Sequence, residues 1–190
     1  MDQATINFLG RAILKYKTFK FTFVPQKYLI TGKATSVGWA DDKEVRIATK
    51  RPASTWTEVF VHETCHLDQQ IQRPQWHKIR EDALGKLDLW LGGKRVDNIK
   101  KYILLIVDLE WDCERRTLIK LKRNKLPTNL MDYAQMANAY ILGYHWMATE
   151  RKWCKKSYES SNIVSKMPRR LIPRSIAMKP PAKLMNLFYK

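Results

Sequence analysis

With 190 residues and 45% hydrophobic content, the chain has the length of one domain and enough apolar side chains for a core, which excludes wholesale disorder. No run approaches the roughly 18 apolar residues that a membrane span needs, and Met1-Asp2-Gln3-Ala4 lacks the basic and apolar regions of a secretory signal. A formal net charge of +17 excludes an acidic solvating protein and favours either a well-solvated surface or a polyanionic partner.

Taken in order, Ile6, Phe8, Leu9, Ala12, Ile13 and Leu14 have helical spacing and predict a helix from about Ala4 to Tyr16. Short strands follow in Phe19–Phe23, which alternates before Pro25, and in Tyr28–Thr31, which ends at Gly32. Ser36–Trp39 and Glu44–Thr49 flank Ala40-Asp41-Asp42-Lys43, a hairpin turn. Pro52 and Thr55-x-x-Glu58, read as a capping box, open a helix that ends near Gln72. One or two helices between Trp76 and Leu91 close at Gly92-Gly93. Asp97 is placed to cap a helix from Asn98 to Asn124, and a last long helix runs from Leu130 to Trp153 after the break at Pro127-Thr128-Asn129. The fold class expected is α+β: an N-terminal helix, a small antiparallel or mixed sheet, then a helical C-terminal half.

Two segments are expected, a domain over 1–156 and a basic, proline-containing extended arm over 157–190. From Arg151 onward there are 11 Lys+Arg against one acid, whereas the preceding 150 residues carry 24 Lys+Arg against 17 acids. Such an arm would suit nucleic acid or an acidic partner, with Leu184–Tyr189 docking on a surface. Cys65, Cys113 and Cys154, an odd number at wide spacing, form no disulfide framework and fit a reducing cytoplasm.

His62-Glu63-Thr64-Cys65-His66 is an H-E-x-x-H motif inside the second helical stretch. Residues four apart on a helix stand one above the other, so His62 and His66 can point their imidazoles at one metal ion, for which Zn²⁺ is suited. Glu63, one residue round, is placed to take a proton from activated water. No third His stands at metzincin spacing, since the residue six beyond His66 is Gln72, and Asp68 faces away. On the Asn98–Asn124 helix, Glu110 and Glu114 interrupt an apolar face formed by Ile103, Ile106, Val107, Cys113, Thr117 and Leu118. A carboxylate facing a core is costly unless paired or metal-bound, so Glu110 is the expected third ligand. Glu114 is then the partner of a liganding imidazole. The alternative for both is pairing with Arg115, Arg116 or another basic neighbour. Cys65, on another face of its helix, reads as a packing residue, and His77, beside Trp76, as a packing or surface residue.

H-E-T-C-H at 62–66 followed by E-W-D-C-E at 110–114 resembles the gluzincin branch of the zincin metallopeptidases, whose second zinc helix carries E-x-x-A-D in several families. Cys113 and Glu114 depart from that Ala and Asp. The order of elements is similar to that of the compact minigluzincins, and the paired motifs resemble metallopeptidase-like proteins encoded by tailed bacteriophages. The resemblance covers Ala4 to Trp153 and implies a zincin-like fold and zinc-dependent hydrolysis of peptide bonds in a protein or peptide substrate. It also implies a location in the host cytoplasm, or in a virion, if phage-encoded. For the oxyanion donor the last helix offers Tyr144 and His145, with Met136, Tyr140 and Tyr144 at four-residue spacing. A strand edge at Ser36–Trp39 or Val45–Thr49 would take substrate backbone by β-addition. The alternative function is a nucleic-acid-associated or virion-assembly protein whose zinc site is structural or degenerate and whose basic arm does the binding.

Overall fold

The computed structural model describes residues 1–31, 34–41, 43–153 and 160–189 and shows an α+β chain. It divides into two compact units, Met1–Gln72 with Arg116–Thr128, and Arg73–Arg115 with Asn129–Lys190. The boundary expected at 156/157 lies outside the described residues.

The first unit opens with α1 (Gln3–Lys15), capped by Asp2, whose carboxylate accepts from Thr5 N. A three-stranded sheet follows in the order β1 (Lys20–Val24), β5 (Glu44–Ala48), β4 (Gly38–Ala40), and β2 (Leu29–Thr31) pairs antiparallel with β3 (Ala34–Ser36) as a separate ribbon. β4 and β5 form the expected hairpin, with Asp41 Oδ1 accepting from Lys43 N at 2.8 Å and Glu44 N at 2.7 Å. β1 joins β5 in parallel, so the sheet is mixed. β5 is therefore paired on both sides, and of the two stretches considered for β-addition, β4 alone lies at an edge of this sheet.

Alternation in β1 sends Phe21 and Phe23 to one face, where both rings pack against Phe60 of α2 (Ala53–Gln72). Phe8 of α1 meets the same ring edge-on. The core continues through Val45, Ile47, Val61, Cys65 and Leu67. α2 begins at Ala53, so Thr55 lies within its first turn and Glu58 accepts from the Thr128 hydroxyl rather than closing a capping box. Asp68, expected to face away from chemistry, is buried in a structural cluster. It accepts from Lys15 Nζ (2.6 Å), Tyr16 Oη (2.8 Å) and Lys120 Nζ (2.8 Å). Burial works against its charge, yet the Lys120 ammonium holds its carboxyl below the usual carboxylate range.

The second unit contains α3 (Pro74–Leu91), a single helix with Pro74 in its first turn. α4 runs over Ile99–Arg123, so its C-terminal turns belong to the first unit. Asn98, at φ 56°, precedes α4 in place of the expected Asp97 cap, and Asp97 meets Arg95. Asn129 caps α5 (Leu130–Glu150) by accepting from Met131 N and Asp132 N. α5 ends three residues before the expected Trp153. Arg151 there adopts a left-handed φ of 55°, stacks its guanidinium over Trp90 and donates to the carbonyls of Trp90 and Lys94.

The segment expected as an extended arm is folded where it is described. It forms α6 (Ser161–Val164), α7 (Arg174–Met178), α8 (Ala182–Met185) and a 3₁₀ turn (Asn186–Tyr189). Met167, Ile172, Ala177 and Phe188 are buried in one cluster with Leu87, Ile106, Leu142 and Met147. Side-chain amides of α5 hold its backbone. Gln135 Nε2 donates to Ser165 O and Met167 O, and Asn138 Nδ2 donates to Pro168 O and Arg170 O. Asn138 Oδ1 accepts from Ile172 N. Trp111 Nε1 donates to Ile172 O, and Arg174 grips Asp108 with two hydrogen bonds of 2.5 and 2.6 Å. Prolines prevent a continuous helix, and these partners satisfy carbonyls that regular structure would have served. No helix among the described residues is long and apolar enough to cross a membrane.

Candidate metal centre

α2 supplies the first half of the candidate centre. Residues Glu63 to Gln69 are all buried, and His62 is half-buried. The four-residue spacing brings His62 Nε2 and His66 Nε2 to 3.1 Å, with the rings nearly perpendicular at 85°. Two nitrogens each about 2.05 Å from a tetrahedral zinc stand about 3.3 Å apart, so the pair is spaced for a shared cation. His66 Nδ1 lies 3.0 Å from Gln69 Oε1. An amide oxygen only accepts, so this contact places the ring proton on Nδ1 and turns the Nε2 lone pair toward His62. Gln69 escaped the sequence reading, although its position three residues after His66 was its signal.

Glu63 is 6% exposed and lies against β4. A Cβ on Gly38 would come within 2.6 Å of Glu63 Oε1 and 2.4 Å of Val59 Cγ1, so only glycine lets this strand approach the carboxylate so closely. Gly38→Ala should therefore cost about 1–3 kcal/mol of stability, the usual range for overpacking, as a fall in the denaturant midpoint would show. An unchanged midpoint would mean that β4 yields freely. Cys65 lies at the back of the helix, where its Sγ accepts from the Thr117 hydroxyl at 3.5 Å, in keeping with a packing role.

The second unit holds the carboxylates of α4. Glu110 is 1% exposed, with Arg80 Nη2 of α3 at 4.0 Å from its Oε1. Glu114 is equally buried and accepts from Tyr133 Oη at 2.5 Å. Cys113, between them, is fully buried. Asp112 pairs with Arg115 and Asp108 with Arg174. Cys154 lies outside the described residues.

Of the two donors offered by α5, Tyr144 is buried with its hydroxyl 2.7 Å from that of Tyr140. Burial, and then the charge of Glu110, push the Tyr140 phenol well above its ordinary range, so its hydroxyl stays protonated. His145 is directed elsewhere: its Nε2 donates to Ala177 O at 2.8 Å and so fastens α7. The structure thus groups Glu110 with Arg80, Tyr140 and Tyr144, and engages His145 with the C-terminal segment. Arg80, absent from the sequence reading, carries no motif.

Burial depresses the His145 imidazolium below the usual histidine range, and the Ala177 hydrogen bond offsets only part of that. Its folded-state affinity for a proton is thus lower than that of the unfolded chain, whose histidines titrate near pH 6.5. The unfolded state binds more protons below that pH, so stability should fall as the pH drops from about 6.5 toward the depressed value. His145→Gln, which keeps a donor but does not titrate, should flatten this limb in urea titrations at pH 7.5 and 5.5. An equal loss in both proteins would assign the acid sensitivity to other groups.

No family model, curated protein or solved structure matches the chain.

Proposed function

We propose that the protein is a metal-dependent peptidase of zincin type, with zinc the expected ion. The observation that carries the reading is the His62–His66 pair, with Nε2 atoms 3.1 Å apart, one ring oriented by Gln69 and Glu63 adjoining it beside β4. His62, His66 and Cys113 are residues of a kind that could hold a metal ion. Glu110, one turn before Cys113 on the same helix, is our choice of third ligand. A buried carboxylate is a hard anionic donor that suits a divalent cation as well as its Arg80 partner at 4.0 Å, whereas a buried thiol also packs as a small apolar group. Glu114, held by Tyr133, is left to orient a liganding imidazole.

Bound there, zinc would lower the pKa of a coordinated water toward about 7 and polarise a carbonyl. The remaining work falls to the protein. Glu63 accepts the proton from the attacking water and returns it to the leaving amine, moving one proton twice and ending unchanged. The edge of β4 hydrogen-bonds an extended substrate backbone. Tyr144, coupled to Tyr140, supplies a hydroxyl for the developing oxyanion. The test is elemental analysis of purified protein together with cleavage of an unstructured substrate such as casein. Near-stoichiometric zinc with chelator-sensitive cleavage supports the reading; no uptake of metal even after reconstitution sinks it.

A further inference from the structure

Between residues 160 and 189 the sequence holds six cations and no acid. Lys166, Arg169, Arg170, Arg174, Lys179 and Lys183 are all exposed, while Met167, Ile172, Ala177 and Phe188 turn inward. Arg174 is committed to Asp108. The other five are in no ion pair among the described residues. Their backbone is already ordered, because α5 and Trp111 hold the carbonyls of Ser165, Met167, Pro168, Arg170 and Ile172.

A disordered basic tail loses conformational freedom when it meets a polyanion. This segment has met that cost on folding, and it presents ammonium and guanidinium groups with no acid among them. We infer that residues 160–189 form a preordered surface for the phosphate backbone of nucleic acid, binding without sequence preference. An anionic membrane is the poorer fit. Interfacial binding draws on an apolar face, and Tyr189 is the one large apolar side chain of the segment that is exposed among the described residues. The inference is independent of any metal chemistry.

The test uses the full chain and a labelled 20-bp duplex DNA of arbitrary sequence, titrated by fluorescence anisotropy between 50 and 200 mM salt. Five phosphate contacts give a slope of log K against log salt of about −4.5, a weakening of about 500-fold over that range. The triple variant Lys166→Gln/Arg169→Gln/Arg170→Gln changes only exposed side chains, so its thermal melt should match the parent, and its slope should shrink to about −2. No binding at 50 mM salt overturns the proposal. A slope unchanged in the triple variant does so too, because it assigns DNA binding to other basic residues. Tighter binding to phosphatidylserine vesicles than to DNA at equal salt would also overturn it, in favour of a membrane surface.

Discussion

Glu63→Gln should lower peptide hydrolysis by roughly 10²- to 10⁴-fold while leaving metal content unchanged. Glutamine keeps the size of the side chain and so its fit against Gly38 and Val59, but it cannot accept and return a proton. The loss corresponds to about 3–5 kcal/mol of transition-state stabilisation. Because Glu63 follows the pair-forming His62 without sharing its helical face, metal affinity serves as the internal control. A variant that keeps zinc and full activity would remove Glu63 from the chemistry. One that loses zinc as well would make Glu63 a ligand.

The second large effect concerns the third ligand. Glu110→Ala should weaken zinc binding by more than the roughly 10- to 100-fold typical of losing an orienting partner, whereas Cys113→Ser should leave it nearly intact. Competition with a chromogenic chelator measures both. The reverse result would reassign the donor to the thiol and define a His₂Cys site, a set that also suits zinc. Comparable losses in both variants would imply that the turn carrying the two residues acts as a unit. In every case Glu110→Ala also leaves Arg80 beside an apolar methyl, so a thermal melt must accompany the metal titration.

The parts of this molecule legible in the sequence are those set by local spacing. Two histidines four apart on a helix meet wherever that helix lies, and the Asp41 turn closes on its own neighbours. Parallel pairing of β1 with β5 was not legible, because alternation assigns faces and says nothing of a partner's direction. Arg80 was invisible for a similar reason: its place near Glu110 depends on how α3 packs, and no motif records that. The folded C-terminal segment was misread because prolines and cations dominate its composition. Its four buried apolar residues, Met167, Ile172, Ala177 and Phe188, follow no helical or strand period, and the amides that hold its backbone stand about thirty residues earlier in the chain.

Asn138 uses both ends of its amide on that backbone, giving to Pro168 and Arg170 and taking from Ile172. A trypsin-like enzyme needs several residues drawn out in its cleft before it can cut, and Arg169 and Arg170 are attractive sites by composition alone. Their flanking peptide groups are already engaged, so a chain that looks easy to trim from its C-terminus is guarded there against digestion. If the protein cleaves peptides, the same restraint withholds residues 165–172 from its own action.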